Sequence, residues 1–519
     1  MGFNLNLPKK FNAADYFVDV NIREGRAAKT AVICEGRHTT YGQMQKGMNR
    51  LGNGLLSLGM RMEDRAALLL LDTEIYPQAF FGAIKIGAVP ICLNTLMRPK
   101  DYSYFLNDSR ARILIVDQDL LPLIDEIRSE LSFLEQVVVA RGQGRPGDIQ
   151  LSELMAAQSE ELEAAPTTPD DACFWLYSSG STGASKGTVH LQHDMVFAAE
   201  TYGRQVLKIK ENDLCFSAAK LFFAYGLGNG LYFPFSVGAT AVYLPGRPTP
   251  EAVFETIKNN QPTIFFGVPT LFGSMLTVEG DLGRVGVCVS AGEALPPEVL
   301  KRWKERFGVP IMDGIGSTEI SHIFISNTRD DIRVGSTGKL VPGYEARIVD
   351  ENFQDVPAGE IGSLLIKGDS TAAYYWNKHE KTKQTMMGEW INTDDRFFRD
   401  ADGYFYYVGR SNDMLKVGGI WVSPIEVEAC LMEHPQVLEC AVVGAPDEGD
   451  LIKPKAFIVL RNGTSPSPDL AKDIKGYVKT NLARYKYPRW IEFVDELPKT
   501  ATGKIKRFEL RNRTSRLAA

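Results

Sequence analysis

Cysteine is scarce and never clustered: seven residues are scattered singly through 519, with no CxxC spacing. That excludes a disulfide framework and a thiolate zinc site, and it favours buried, reduced thiols in a cytoplasmic protein. Histidine is scarcer, at six residues. His190 and His193 lie close together in sequence without a supporting ligand set, so they are expected to be ordinary side chains and not a metal pair. Long apolar runs are missing as well. The strongest, Ala66 to Leu71, is strand-sized and ends at Asp72, far short of the roughly 20 residues that cross a bilayer. The opening MGFNLNLPKK lacks the apolar core of a signal peptide, and Asn6 stands where a myristoylation motif wants Ser or Thr. Nor is there a surplus of positive charge: 58 Lys and Arg against 64 Asp and Glu give a net charge of -6. Neither nucleic acid nor membrane is therefore expected as a partner.

What is present is an ordinary globular composition, 44% hydrophobic and 24% charged, in a chain long enough for two or more domains. The first 140 residues alternate between two periods. Thr40 is placed to cap a helix carrying Tyr41, Met44, Met48, Leu51, Leu55 and Leu58, which Gly59 closes. RAALLLLD (65–72), AVPICLN, ARILIVD and QVVVA read as buried strands, and TEIYPQAFFGAIKIG as a helix despite its early Pro77. Continuous apolar strands between helices imply a largely parallel sheet covered on both faces. GQGRPGD (142–148) and EELEAAPTTPDD (160–171) read as connections. The C-terminal end reads as a small separate unit. Ser423 is placed to cap a helix with Pro424 first and Glu426 completing a capping box. LECAVVG, KPKAFIVL and WIEFV are strands, and DLAKDIKGYVKTNLARY is a helix. The boundary falls in GRSNDMLKVGG (409–419), dividing the chain into 1–411 and 412–519.

YSSGSTGASKG (177–187) concentrates backbone freedom, hydroxyls and one cation. Gly180, Gly183 and Gly187 permit close backbone approach, so that consecutive amides converge on anionic oxygens. Ser178, Ser179, Ser181 and Thr182 add neutral donors and Lys186 a point charge. It is not GxxxxGK[ST], since Gly187 follows the lysine, and it is not a Ser-x-x-Lys hydrolase signature, since Gly183 stands three before it. Further segments follow in order. GIGSTE (314–319) offers a hydroxyl and a carboxylate, and GEWINTDD (388–395) offers paired acids. GRSNDMLKVGG contributes an arginine, and KTATGKIKR a lysine.

In that order, these segments resemble the adenylate-forming superfamily of acyl-CoA synthetases over nearly the whole chain. SAAKLFFAYGLGNG (217–230), SAGEALP (290–296), DGIGSTEISHIF (313–324) and LPKTATGKIKRFEL look like those of benzoate-CoA ligases and their hydroxybenzoate relatives. The resemblance implies a large α/β N-terminal adenylate-forming domain, with mixed sheets covered by helices, and a small mobile α+β C-terminal domain. It implies that an aromatic carboxylate, ATP with Mg²⁺, and coenzyme A give the aryl-CoA thioester, AMP and pyrophosphate. It puts Ser178, Ser181, Thr182, Gly183 and Lys186 around the β- and γ-phosphates, Thr318 at the α-phosphate and Glu319 on Mg²⁺. Asp395 and Arg410 would hold the ribose, and Gly292, Glu293, Asp313, Gly314 and Ile315 would surround adenine. Lys504 would bridge the carboxylate and the α-phosphate. Rotation of the C-terminal domain would then bring Asn412, Lys416, Gly418 and Gly419 to the hinge and the thiol tunnel. The acid pocket would be lined by Phe223, Ala224, Tyr225, Gly226, Ala291, Gly316, His322 and Ile323. Phe223, Ala224, Tyr225 and Gly226 combine flat apolar surface with small gaps to admit a ring edgewise; Phe222 and Phe223 alone read as core, and Tyr225 beside Gly226 and Gly228 as a cavity wall. His322 reads equally as a ligand to the acid or as a structural residue. A homodimer is compatible with all of this, although the sequence does not fix an oligomeric state.

The sequence departs from the superfamily pattern in several places. Asn412 stands where Asp or Lys is usual, Ser185 replaces a common proline and should loosen the phosphate loop, and Ile315 replaces an aromatic. Asp394 replaces a glycine and calls for a compensating partner. The rival readings are the same chemistry on a hydroxybenzoate, a cinnamate or a medium-chain fatty acid, transfer to a carrier protein, and a silent nucleotide- or acyl-CoA-binding regulator. A serine hydrolase lacks a nucleophile elbow with a suitable histidine.

Overall fold

The computed structural model describes residues 5–178, 185–410, 413–417, 420–447, 451–499 and 505–516. Two large sheets form the bulk of the described chain. In the first, Arg65–Leu69 runs parallel between Val89–Cys92 and Ile113–Val116, and Gln136–Val139 extends the parallel run. This is the arrangement that continuous apolar strands predict. The sheet turns mixed where Ala172–Ser178 and Lys186–Leu191 pair antiparallel and Tyr374–Tyr375 closes the edge. The second sheet places Leu214–Ser217, Ile264–Gly267, Val287–Ser290 and Ile311–Gly316 side by side in parallel. Ile323–Ser326 then turns back antiparallel on Ile311–Gly316.

The helix Tyr41–Ser57 starts at Thr40, whose hydroxyl accepts from Gln43 N at 3.2 Å while Gln43 Oε1 accepts from Thr40 N at 2.9 Å. The helix gives way to Gly59 at φ +85. Ile75–Lys85 tolerates Pro77 because the amides of a first turn have no intrahelical acceptor to lose. Met48, Leu51, Phe80 and Phe81 of these helices join strand residues of both sheets, such as Leu68 and Phe266, in the largest apolar cluster. All seven cysteines are free and buried. No described helix is long and apolar enough to cross a membrane.

The C-terminal part carries Val437–Pro446, Ile452–Leu460 and Trp490–Phe493 as one sheet, packed by the helices Pro424–Met432 and Pro468–Asn481. Only half of the expected capping box forms at Ser423. Its hydroxyl accepts from Glu426 N at 3.2 Å, but the Glu426 carboxylate is drawn away to Lys486, at 2.5 and 2.7 Å. A cation in reach outcompetes a neutral amide for a carboxylate.

Candidate active site

Strand pairing builds the mouth of the site. Ser178 lies opposite Lys186 across the Ala172–Ser178/Lys186–Leu191 pair, and Tyr375 lies opposite Thr188 on the other side of the second strand. A single 3₁₀ turn, Thr318–Ile320, follows the strand Ile311–Gly316 and brings Glu319 to the same place. One oxygen of Glu319 collects all of these groups. Glu319 Oε1 accepts from Tyr375 Oη at 2.8 Å and Ser178 Oγ at 3.1 Å, with Lys186 Nζ 3.9 Å away. Lys186 also donates to Tyr375 Oη at 3.3 Å and sits over its ring.

Burial alone would raise the Glu319 carboxyl, but Lys186, Tyr375 and Ser178 outweigh it and hold the group below its ordinary value. Burial lowers Lys186, and Glu319 only partly offsets that. The cluster is thus an ionised carboxylate with hydroxyl neighbours beside a lysine short of negative charge. Such a set of oxygens suits a hard divalent cation, and such a lysine suits an anion. Tyr375 escapes sequence reading altogether. It belongs to a two-residue strand far along the chain, and neither periodicity nor motif marks it.

Asp395 and Arg410 face each other across the antiparallel pair Trp390–Arg399/Phe405–Arg410, Nε to Oδ1 at 3.0 Å. The carboxylate of Asp395 is the main cause that raises Arg410, and Glu319 adds to it, so this pair and the mouth share one electrostatic neighbourhood. Asp394 adopts φ +60, which explains why glycine suits that position. The partner that its charge calls for is Lys381, at 3.9 Å. Gly292 also takes a left-handed conformation, at φ +91. Asp313 is buried with Oδ1 unpartnered, and burial pushes its carboxyl well above the usual range. Gly314 and Ile315 continue its strand, and Glu293 follows Gly292 half-buried.

Among the expected pocket residues, Tyr225 and His322 are in contact within an aromatic cluster. His322 is 2% exposed, packed among Tyr202, Tyr225 and Phe233 at 5.3, 5.6 and 4.5 Å between ring centres. Its Nε2 donates to Tyr225 O at 3.2 Å, while Nδ1 has no partner. Burial pushes this ring down to about 3, so it is a neutral group with an unused acceptor. Tyr225 Oη donates to Val289 O at 2.9 Å, and the Asn229 amide, fully buried, has no partner at either end. Ala224, Ala291 and Ile323 are buried, and Phe223 packs half-buried on Phe222.

Gly226 and Gly316 both stand at close approaches of the chain to itself. A Cβ on Gly226 would meet Lys220 O at 2.1 Å, and one on Gly316 would meet His322 O at 2.5 Å. On the side where a Cβ would stand, the space beside these glycines is filled by the chain's own backbone. The carbonyl of Ser185 accepts from Tyr104 Oη at 2.8 Å. Lys416 lies exposed on Leu415–Val417. Ser181, Thr182, Gly183, Asn412, Gly418, Gly419 and Lys504 lie outside the described residues.

This geometry defines a class: an anion- and cation-ready mouth on a mixed sheet, together with a buried aromatic cluster that holds spare polar atoms. The chain belongs to the AMP-binding enzyme family, whose model matches residues 20–376, with the AMP-binding enzyme C-terminal domain matching 426–504. Among its relatives is a benzoate–CoA ligase of Thauera aromatica, 54% identical across 98% of this chain and 97% of that one. A 4-hydroxybenzoate–CoA/benzoate–CoA ligase of Rhodopseudomonas palustris is 45% identical over 98% of this chain and 95% of its own. The crystal structure of the anthranilate CoA ligase AuaEII with anthranoyl-AMP superposes with a TM-score of 0.95 at 47% identity, covering 99% of both chains.

Proposed function

We propose that this protein is an acid–thiol ligase that joins benzoate, or a simply substituted benzoate, to coenzyme A through an aryl-adenylate, releasing AMP and pyrophosphate. The convergence of Ser178, Lys186 and Tyr375 on Glu319 carries the reading, and the full-length similarity to aryl-CoA ligases supports it. A carboxylate is a poor electrophile, and its attack on the α-phosphate of ATP brings two anions together. The step therefore needs fixed cations and dipoles where charge accumulates. Lys186 supplies a cation, with the hydroxyls of Ser178, Ser181 and Thr182 and the backbone at Gly183 around the outer phosphates. Thr318 meets the α-phosphate. Glu319, ionised and ringed by hydroxyls, fits Mg²⁺, which when bound neutralises phosphate charge. Asp395 and Arg410 exchange part of their mutual contact for the ribose. Gly292, Glu293, Asp313, Gly314 and Ile315 take adenine, where the neutral Asp313 carboxyl is able to donate. Lys504 bridges the two reacting anions.

The acid enters between Phe223, Ala224, Tyr225, Ala291, His322 and Ile323, along the backbones of Gly226 and Gly316. Because His322 is neutral, it does not act as the cation for the carboxylate, and its spare acceptor suits a ring hydroxyl or amine. The thiol step uses Asn412, Lys416, Gly418 and Gly419 after residues 412–519 reorient against 1–411. A cytoplasmic location and a homodimer complete the proposal.

The test is AMP release with ATP, Mg²⁺ and coenzyme A across benzoate, its hydroxy, amino, fluoro and methyl forms, cinnamate and hexanoate. Turnover confined to the benzoates supports the reading. Preference for cinnamate or hexanoate keeps the chemistry and overturns the acid. Absence of AMP from every acid, in protein that binds ATP, overturns the function.

A further inference from the structure

One buried polar chain lies behind the mouth without belonging to it. Lys186, Thr188 and His190 occupy alternate positions of the strand Lys186–Leu191 and so share a face. His190 is fully buried, and so is Asp194 at the start of the helix Asp194–Ala198. His190 Nε2 lies 2.7 Å from the carbonyl of Thr318, and Nδ1 lies 2.7 Å from Asp194 Oδ2. A carbonyl only accepts, so Nε2 carries a proton. Ser321 Oγ is 3.0 Å from Nδ1 and donates its own proton to Ser370 O at 3.0 Å. The ring is thus held between Thr318 O and Asp194 and stacked on Phe174 at 4.9 Å and 15°. Asp194, next to His193 in sequence, is the acidic neighbour that a reading of the two histidines as bland side chains passes over.

The carbonyl that His190 grips belongs to a segment that needs restraint. A lone 3₁₀ turn has poor internal hydrogen bonding. It ends at Ser321, a non-glycine residue at φ +66, a conformation that persists only when its surroundings impose it. The surroundings do so through three successive carbonyls. Thr318 O takes His190, Glu319 O takes Ala372 N at 2.8 Å, and Ile320 O takes Ser370 Oγ at 2.9 Å. The grip on Thr318 is the one that comes from the phosphate-lysine strand itself.

We infer that His190, oriented by Asp194, is a positioning residue for the adenylation half-reaction: by holding the Thr318 carbonyl it ties the Thr318–Glu319 turn to the strand that presents Lys186. This rests on the proposed function. The group that reacts and the groups that touch phosphate are elsewhere, and His190 acts through the geometry between them.

Three variants of the full chain test it: His190→Met fills the space without a donor, His190→Gln restores an N–H near the place of Nε2, and Asp194→Asn keeps shape but removes charge. Each is assayed for benzoate-dependent ATP–pyrophosphate exchange and for thioester formation from synthetic benzoyl-adenylate and coenzyme A. Binding of a non-hydrolysable ATP analogue is followed by calorimetry. The expected result for His190→Met is exchange reduced by about 100-fold, the scale of a small misplacement, with the thioester step and analogue affinity within about threefold. His190→Gln should recover most of the exchange. An equal loss in both half-reactions, no loss of exchange, or a Gln variant no better than Met overturns the inference. If the Met variant does not fold, Asp194→Asn decides by the same criterion of a loss confined to exchange. No exchange by the unaltered chain with any benzoate overturns the proposed function, and with it the half-reaction assigned to His190. Exchange by the unaltered chain that His190→Met leaves unmoved overturns this inference alone.

Discussion

The mouth and the interior of the site treat polar atoms in opposite ways. At the mouth, Ser178, Lys186, Glu319 and Tyr375 bond to one another, with Tyr375 buried and the side chains of Lys186 and Glu319 each 15% exposed. Around His322 the polar atoms are sealed in, and several have no partner: His322 Nδ1, both ends of the Asn229 amide and Asp313 Oδ1. A buried polar atom left alone costs about 1–3 kcal/mol, so an interior of this kind makes sense as one half of a contact whose other half arrives with the ligand. At the mouth the side chains already bond to one another, so a ligand there exchanges partners at Glu319 while supplying the negative charge that Lys186 lacks.

The largest effect expected from breaking the mouth is that of Glu319→Gln. It removes the charge on which three groups converge, and pyrophosphate exchange should fall by about 100-fold or more. A loss below tenfold would mean that the convergence is structural and not chemical. The interior is tested by acid. His322 is held down to about 3 against an ordinary value of 6.5. The folded ring therefore binds fewer protons than the unfolded one in that window, and stability rises with pH and is lost as pH falls below 6.5. The loss should be about 1.4 kcal/mol per pH unit from this group. Urea midpoints at pH 7.5 and 5.5 check it, and His322→Gln should narrow the difference between them. Tyr375→Phe sharpens the exchange picture at the mouth. Removing one donor from Glu319 should change the KM for ATP roughly tenfold, consistent with one hydrogen bond to a charged group at about 1.5 kcal/mol, and leave kcat for thioester transfer unmoved. The smallest effect belongs to Asp394→Gly. Relief of the φ +60 strain is opposed by the backbone entropy of glycine and the loss of Lys381, so the thermal midpoint should move by the equivalent of less than about 1 kcal/mol.

Most of the architecture was legible because it rests on local periodicity. The Thr40 cap, the parallel core around Arg65–Leu69 and the C-terminal helices all stand where apolar spacing and capping residues put them. The site was legible as segments but not as contacts. Ser178, Lys186 and Glu319 could be picked from glycine-rich stretches, whereas Tyr375 could not, since a two-residue strand has no period. Gly226 and Gly316 are ambiguous in the sequence for a related reason. A glycine signals close approach, but only coordinates tell whether a ligand or the chain's own carbonyl does the approaching. His190 and Asp194 are four residues apart, and their role depends on a carbonyl 128 residues further on.

The strand Tyr374–Tyr375 closes the edge left by Lys186–Leu191, and Tyr375 lies 189 residues beyond the lysine that it touches. During synthesis at about 5–20 residues per second, that edge stays open for roughly 10–40 s after the lysine strand is made. An unpaired strand edge is a template for adding foreign chains. The closing strand of the active site is thus also its last guard against misassembly on the ribosome, and truncations ending before residue 374 should emerge with the sheet still recruiting.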